Sequence, residues 1–358
     1  MKNWADLSEE LLNLILSNLF GKDRHSFGLV CKSWSAAAEV SPYRHGPCLM
    51  FDGKKTGKWK FFQYNRIFSM IDFPQLDDAE IVCSKHGWLL MSHDYSILFF
   101  FDPFNNRSIN IHHRIDFPYE IICFFNSPTS SDCTIIGISG TRGYSPYVYI
   151  GVLRKGEDKW NRYEYNCNTG FVLAVSTPIL HRGWLYCLDV KGNVGTLNIN
   201  KHGHDQSSWI VYTKCLLPAR FRNKTRQHFF IKHHEEETIF AVFVAHDERK
   251  ANVFRLLEPD MKWELVEDLG DKRLFVSRTS SLIETAPLKS MANKIYFPML
   301  KDDDGVYYSL DTRKYHSYEG GLSSKKSYGL KELNFATWVI PSPIPDFHEE
   351  LTWCSEVG

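Results

Sequence analysis

Residues 4–34, WADLSEELLNLILSNLFGKDRHSFGLVCKSW, carry a helical pattern at the start of the chain. Apolar side chains recur there at three- and four-residue steps, as on one face of an amphipathic helix; they are Leu7, Leu11, Leu14, Ile15 and Leu19. Asp6 or Ser8 is placed to cap the start of this helix, and Gly21 is placed to end it. A second helix is predicted from about Asp23 to Val40. Its apolar face carries Phe27, Val30, Cys31 and Trp34.

Two or three short helices cannot bury all of these apolar side chains among themselves. We therefore expect part of this surface to meet either the following domain or another protein.

Two motifs in this module resemble the F-box family. The first is Leu7-Ser8-x-Glu10-Leu11-Leu12-x-x-Ile15-Leu16-x-x-Leu19, and the second is Val30-Cys31-Lys32-x-Trp34. The family usually has proline where this chain has Ser8, a departure that we expect to loosen the first turn, although serine can cap a helix. The resemblance implies that the module docks into the small adaptor subunit of a cullin–RING ubiquitin ligase. The alternative is an ordinary helical hairpin packed on the main domain.

The composition is that of an ordinary globular protein. Hydrophobic residues make up 43% of the 358 residues and charged residues 23%, while the aromatic share of 15% is high and fits a strand-rich fold. Because 42 Lys and Arg balance 42 Asp and Glu, no overall field favours nucleic acid or an anionic membrane as a partner. No apolar run approaches the roughly 20 residues of a membrane helix.

The cysteines bear on the cellular compartment. All nine are scattered singly, without a Cys-x-x-Cys pair, which favours reduced core thiols. Charged Lys2, Asp6 and Glu9 near the first residue argue against a secretory signal. We expect a cytoplasmic and/or nuclear protein.

From Leu49 onward, short apolar runs alternate with Gly, Asn, Asp and Pro turns, which predicts β-strands. Two β-hairpins are clear, at residues 97–111 and 184–199. One apolar mark from each cluster gives a spacing of about 40 to 56 residues, near the 40–50-residue period of propeller blades; the marks are Leu49, Leu89, Ile135, Leu185, Ile239 and Ile295. Six blades are favoured and seven remain open, with a pair of β-sandwiches as the alternative.

Two features refine this prediction. The letters Gly-Trp-Leu recur at Gly87 and Gly183, 96 residues or two blades apart. Residues 336–340 are a plausible closing strand, because radial closure protects strand edges. The fold class is therefore mainly β with a small N-terminal α module, followed by a single β-propeller.

The order of the strand motifs resembles the plant F-box proteins that carry a KIB-type, kelch-like β-propeller. The motifs are residues 87–90 with 101–105, residues 183–189, residues 293–297, residues 308–311 and residues 338–341. The double glycine of true kelch repeats is not evident.

No motif supports catalysis, a cofactor or a metal. Residues 53–58 have the wrong spacing for a phosphate loop, and the adjacent pairs His112-His113 and His233-His234 point to opposite faces of a strand. His202, His204 and Asp205 have no matching ligand set. Residues 214–228 form a basic loop followed closely by three glutamates, which indicates a solvated loop, with recognition of an acidic partner as the alternative. Residues 301–305 are predicted as a hairpin turn.

The resemblance implies a non-catalytic substrate receptor of an SCF-type ubiquitin ligase. The F-box would bind the adaptor, reach the cullin and RING subunits only indirectly, and leave the propeller to bind an unknown target. The expected adaptor-binding residues are Leu7, Leu11, Leu12, Ile15, Leu19, Val30, Cys31 and Trp34. The expected domains are residues 1–42, residues 43–345 and a tail of residues 346–358. The alternatives are a propeller enzyme and an F-box scaffold without a ubiquitination role.

Overall fold

The computed structural model describes most of the chain. The described residues are 4–16, 19, 26–40, 46–52, 58–63, 66–94, 96–115, 117–140, 146–167, 170–199, 209–213, 225–245, 250–301, 304–318, 323–324, 330–333, 336–341 and 353.

The first part of the chain is a small helical module. It contains a 3₁₀ turn (Trp4–Asp6), helix α1 (Glu9–Leu16) and helix α2 (Lys32–Val40). Ser8 precedes α1, and its carbonyl accepts the first helical hydrogen bond from the Leu12 N–H at 3.0 Å. Serine therefore occupies the capping position that the sequence assigned to it or to Asp6, whereas Gly21 lies outside the described residues.

The predicted second helix is not continuous, and this part of the prediction is wrong. Residues 26–28 are helical, residues 29–31 form a turn, and α2 begins only at Lys32. The N–H groups of Leu29 and Val30 bond to carbonyls three residues earlier, at 3.1 and 3.2 Å, which closes a tight turn instead of propagating an α-helix. The break directs the two apolar side chains of the turn into solvent.

The module has an apolar core of its own. This core joins both helices and the short helical segment 26–28; its buried members are Leu12, Leu16, Phe27, Ala37 and Ala38. Four partly buried side chains pack around it: Leu7, Ile15, Leu19 and Trp34.

The rest of the chain forms six β-sheets in chain order, which we number as blades 1 to 6. Blade 1 contains β1 (Cys48–Phe51), β2 (Lys58–Gln63) and β3 (Arg66–Asp72). Blade 2 contains β4 (Glu80–Lys85), β5 (Trp88–His93), β6 (Ile97–Asp102) and β7 (Arg107–Arg114). Blade 3 contains β8 (Ile121–Phe125), β9 (Thr134–Ser139), β10 (Tyr147–Arg154) and β11 (Asn161–Asn166).

The later blades continue the pattern. Blade 4 contains β12 (Ile179–His181), β13 (Trp184–Leu188), β14 (Val194–Asn198) and β15 (Trp209–Tyr212). Blade 5 contains β16 (Thr225–His233), β17 (Thr238–Ala245), β18 (Ala251–Leu257) and β19 (Lys262–Val266). Blade 6 contains β20 (Lys272–Val276), β21 (Ser281–Thr285), β22 (Lys294–Lys301), β23 (Asp304–Ser309), β24 (Lys314–Ser317), β25 (Ser323–Ser324) and β26 (Lys331–Glu332). Among the described residues, two 3₁₀ turns lie between strands, at Pro74–Leu76 and Lys289–Met291.

Blade 1 is completed from the other end of the chain. Strand β27 (Ala336–Val339) pairs antiparallel with β1, with Trp338 opposite Leu49, and supplies the fourth strand of the sheet. The predicted closing strand is therefore confirmed. It removes the edge that β1 would otherwise expose.

Apolar clusters join each blade to the next around the whole ring. One cluster links blades 1 and 2, another links blades 2, 3 and 4, and a third links blades 4 and 5. The last two link blades 5 and 6 and blades 6 and 1. The fold is a six-bladed β-propeller, and the six apolar marks chosen from the sequence fall one on each blade.

Burial explains the strand patterns. Inner strands such as β17, TIFAVFVA, are covered on both faces by neighbouring blades and are buried over six consecutive residues. In the outer strand β19, KWELV, the side chains of Lys262 and Glu264 are exposed. A continuous apolar run therefore indicates an inner strand of a blade.

Two repeated turn types set the hairpins. His86-Gly87 and Arg182-Gly183 take positive φ values at both positions, 52° and 79° in blade 2 and 51° and 79° in blade 4, as a type I′ turn requires. The repeated Gly-Trp-Leu letters thus mark equivalent turns two blades apart.

In the hairpins that were predicted from sequence, a buried aspartate organises the turn. Asp102 Oδ1 accepts the backbone N–H of Phe104 at 3.0 Å and of Asn105 at 3.1 Å. Asp189 Oδ1 does the same for Lys191 and Asn193, both at 2.7 Å. Both hairpins are confirmed. Lys301 and Asp304 pair across β22 and β23, and residues 302–303 of the predicted hairpin turn lie outside the described residues.

Blade 6 departs from the four-stranded pattern. Hairpin β20–β21 inserts so that β20 pairs in parallel with β22, while β21 lies at the end of the sheet and packs against β16. The turn of this hairpin reaches blade 2, where the Thr279 carbonyl accepts the Ser84 N–H at 3.0 Å. Nothing in the sequence analysis anticipated this insertion.

The predicted tail contributes to the propeller core. Trp353 is 2% exposed and packs on Phe100, with ring centroids 5.3 Å apart. Its carbonyl accepts the Gly156 N–H at 3.2 Å. Within the described ranges, no helix is long and apolar enough to span a bilayer.

Candidate functional site

Five large apolar side chains of the helical module are exposed, and we call them the exposed apolar set. They are Trp4 (70%), Leu11 (48%), Leu14 (61%), Leu29 (72%) and Val30 (55%). The other large exposed apolar side chains among the described residues are spread singly around the propeller. This concentration in about thirty residues makes the module the candidate interaction surface of the chain.

The exposure follows from the geometry of α1. At about 100° per residue, Leu12 and Leu16 lie about 40° apart and face the module core, where they are buried. Leu11 lies about 100° from Leu12 and about 140° from Leu16 around the helix, and Leu14 lies about 160° from both, on the side that faces away from the module core. The apolar stripe of α1 is therefore wider than its packing partner covers.

The eight predicted adaptor-binding residues divide into three groups. Leu11 and Val30 are exposed, and Leu12 is buried in the module core. The other five are partly buried: Leu7, Ile15, Leu19, Cys31 and Trp34. The structure thus separates residues that can touch a partner from residues that hold the module in shape.

Trp34 belongs mainly to the residues that hold the module in shape. Its ring packs on Phe27 with centroids 4.4 Å apart, and its indole N–H donates to the Trp4 carbonyl at 3.0 Å. These contacts tie α2 to the start of the module.

Three exposed members were not among the predicted site residues: Trp4, Leu14 and Leu29. Leu14 was present in the helical pattern, and its position beside Leu11 on the helix could have identified it. Leu29 had no such signal, because its exposure depends on the break between the two helical segments.

The propeller has a cavity of about 840 Å³ lined by all six blades, which we call the channel cavity. Its floor and walls include Phe230 and Trp338, each 2% exposed, and Ile179, 6% exposed. The β20–β21 hairpin supplies residues 280–283. Target-binding residues were left open by the sequence analysis, because no pattern in the chain brings these segments together.

Four basic or titratable side chains line the channel cavity: Lys85, His86, Lys232 and His234. Desolvation and the Lys85 ammonium lower the pKa of His86. Desolvation and the two lysines, Lys232 and Lys85, lower the pKa of His234. Both imidazoles are exposed and both lysines are half-buried.

A polar network holds Lys232 in place. Its ammonium lies 3.1 Å from Glu237 Oε1, and the other oxygen of Glu237 lies 3.2 Å from Nδ1 of the buried His181. His181 Nε2 lies 3.3 Å from Glu258, which accepts the Tyr186 hydroxyl at 2.7 Å. Burial and this carboxylate raise the pKa of Tyr186.

The other candidates from the sequence add no site. Residues 53–57, His202, His204, Asp205 and residues 214–224 lie outside the described residues, and so do the side chains of His112 and His113. His233 is buried while His234 is exposed, as predicted for neighbours on a strand. Across the described ranges, no three His, Cys, Asp or Glu side chains lie close enough to hold a metal ion.

Comparison with known families matches both parts of the chain. The F-box domain family matches residues 4–44, and the KIB1-4 beta-propeller family matches residues 61–321. An F-box/kelch-repeat protein of Arabidopsis thaliana is 27% identical over 350 residues, which cover 94% of each chain. A second Arabidopsis F-box protein is 26% identical over 326 residues, covering 88% of this chain and 81% of that protein.

Among solved structures, the lignostilbene dioxygenase of Pseudomonas brassicacearum aligns with a TM-score of 0.36 and 9% identity, over 76% of this chain and 77% of that one. A score this low supports no inference about the present chain.

Proposed function

Because this chain belongs to the plant F-box proteins with a KIB1-4 β-propeller, we propose that it is the substrate-recognition subunit of an SCF-type ubiquitin ligase. The helical module binds the adaptor subunit, and the propeller binds a target protein. The cullin and RING subunits are reached only through the adaptor, and we assign the complex to the cytoplasm and/or nucleus.

The observation that carries this proposal is the exposed apolar set. These side chains are exposed in the structure that includes the propeller, so the propeller leaves them uncovered. A stable interface buries on the order of 1,200–2,000 Å², and large apolar side chains at its centre dominate the binding energy. A helical hairpin that merely packed on the propeller would have its apolar side chains covered.

The proposed mechanism is proximity. The adaptor fixes the module, the propeller holds the target, and the target's lysines gain a high effective concentration near the charged ubiquitin carrier. No side chain of this chain takes part in the bond that forms, so the role is non-catalytic.

Co-expression of the full chain with the adaptor and the cullin tests the proposal. We expect the three proteins to elute together, and we expect a defined set of cellular proteins to accumulate when the chain is lost. Failure of the full-length chain to retain the adaptor would refute the proposal. Adaptor retention without any accumulating protein would favour a scaffold without a ubiquitination role.

Cys31 provides a footprint of the adaptor contact. It is the one described cysteine that is not buried, and a hydrogen bond with the Ser33 hydroxyl at 3.1 Å lowers its pKa. Burial raises the pKa of the Cys48 and Cys123 thiols to about 12. We expect iodoacetamide to alkylate Cys31 several-fold more slowly in the adaptor complex than in the free chain, as measured by mass spectrometry.

The buried Cys133, whose pKa is likewise raised to about 12, serves as the internal control and should stay unlabelled in both states. Equal alkylation rates for Cys31 with and without saturating adaptor would place the contact elsewhere.

A further inference from the structure

Among the described residues, the lining of the channel cavity has positive charge and no carboxylate. Of the 21 described residues that line it, two are lysines, two are histidines and none is Asp or Glu. The chain as a whole has equal numbers of basic and acidic residues. The charge of this cavity is therefore a local property of the site.

The two lysines differ in how their charge is compensated. Lys232 lies 3.1 Å from Glu237, which is outside the lining. Lys85 has no carboxylate within 4 Å among the described residues; its ammonium lies 3.9 Å from the centroid of the Phe125 ring and 3.5 Å from the Pro178 carbonyl. Lys85 thus supplies uncompensated charge at the cavity wall.

The four basic or titratable groups come from two blades, with Lys85 and His86 in blade 2 and Lys232 and His234 in blade 5, and they act on one another. The Lys85 ammonium lowers the pKa of both His86 and His234, and Lys232 lowers that of His234. An anion placed among these groups would relieve their mutual repulsion, which favours its binding.

Apolar side chains complete the cavity. Phe230, Ile179 and Trp338 are almost fully buried, while Leu282 and Ile283 of β21 are partly exposed. A volume of about 840 Å³ falls in the range of sites that enclose small ligands or several side chains. The cavity therefore offers an apolar interior next to two ammonium groups.

We propose that the channel cavity binds a short acidic segment of the target protein, with an apolar side chain in the cavity and an anionic group at Lys85 and Lys232. The anionic group is a carboxylate or a phosphate, since an ammonium point charge attracts both. This inference rests on the proposed function, because the segment belongs to the protein that the ligase recognises.

Peptide selection on the immobilised full-length chain tests the proposal. Three degenerate peptide libraries are used, identical except for a fixed central residue: glutamate, phosphoserine or glutamine. We expect the glutamate or the phosphoserine library to be retained over the glutamine library, and the preferred one identifies the anion. Among the retained peptides, apolar residues should be enriched beside the central position.

Matched variants assign the binding to the cavity. Lys85→Met and Lys232→Met keep most of the side-chain packing and remove the charge, so each should weaken the best retained peptide by about tenfold. Lys85→Glu should abolish the preference for the anionic library over the glutamine library. Lys262→Met, at an exposed lysine of the outer strand β19, should leave the affinity unchanged. Far-UV circular dichroism confirms that each variant is folded.

Equal retention of the three libraries, including retention of none, overturns the proposal, and so does unchanged peptide affinity in folded Lys85→Met. The adaptor is absent from this measurement, so its result is separate from that of the proposed function. A chain that retains the adaptor but shows no preference for anionic peptides would refute only the cavity proposal.

Discussion

Aspartate in place of Leu11 is expected to lower the affinity of the full chain for the SCF adaptor by about 100-fold or more. Leu11 is 48% exposed on α1, and binding would transfer the new carboxylate from water into an apolar interface without a partner. Such a change costs about 3 kcal/mol or more, and every 1.4 kcal/mol is a tenfold change in affinity. Isothermal titration calorimetry of the purified chain with the adaptor measures this affinity.

The substitution should leave the module folded. Position 11 lies in the first turn of α1, where a negative charge interacts favourably with the helix dipole. Asn13→Asp provides the matched control, because it adds the same charge on the same helix about 160° away from Leu11, at a position that is exposed. We expect the control to bind within about twofold of the original chain. Equal affinities for Leu11→Asp and Asn13→Asp would remove Leu11 from the contact.

Trp34→Ala is also expected to reduce adaptor binding, but for a different reason. The substitution removes the ring contact with Phe27 and the hydrogen bond to the Trp4 carbonyl. The helical module is therefore destabilised even in the absence of the adaptor. Trp34→Phe, which keeps an aromatic ring against Phe27, should retain most of the binding. Complete loss of adaptor binding in Trp34→Phe would instead make the indole itself part of the interface.

Trp338→Ala is expected to destabilise the propeller by about 3–5 kcal/mol, the usual cost of truncating a buried tryptophan. Trp338 is 2% exposed in the closing strand β27, and its ring packs edge-on against Phe275 of blade 6 with centroids 4.9 Å apart. Its indole N–H donates to the Val276 carbonyl at 3.1 Å. The substitution leaves a cavity at the junction of the first and last blades, which chemical denaturation followed by tryptophan fluorescence measures.

Ile340→Ala is the control for this prediction. Ile340 lies two residues further along and is 46% exposed, so its truncation should change the free energy of unfolding by less than about 0.5 kcal/mol. A chain that ends at residue 335 should not adopt the closed propeller of the full chain, since β1 would keep its pairing with β2 and lose β27 along its other edge. A denaturation midpoint for Trp338→Ala equal to that of the original chain would show that blade closure does not depend on this side chain.

The propeller could be predicted because most of its blades are local structures. Blades 2 to 5 are sets of hairpins between consecutive strands, and turn residues such as Gly87 and Asp102 determine where the hairpins bend. Inner strands are apolar without interruption because both faces are covered. Counting one apolar run per blade therefore favoured six blades and left seven open, and the apolar letters of residues 336–340 indicated the closing strand.

The β20–β21 hairpin could not be predicted in the same way. Its first strand, β20, pairs in parallel with β22, and β21 lies between these two strands in the chain. No local turn signal encodes such a pairing. The same limit applies to the channel cavity, since Lys85 and Lys232 are 147 residues apart in the chain and only the closed ring brings them together.

For this protein, the sequence by itself determined the helical module, the strand-rich blades and the family, because helix periodicity, turn chemistry and blade length depend largely on residues close together in the chain. Only the tertiary structure decided which leucines of the module remain exposed and which segments line the channel cavity. Leu11 and Leu12 are adjacent and chemically identical, yet one is exposed and the other buried. Burial depends on what packs against a side chain, and that is determined by residues distant in sequence.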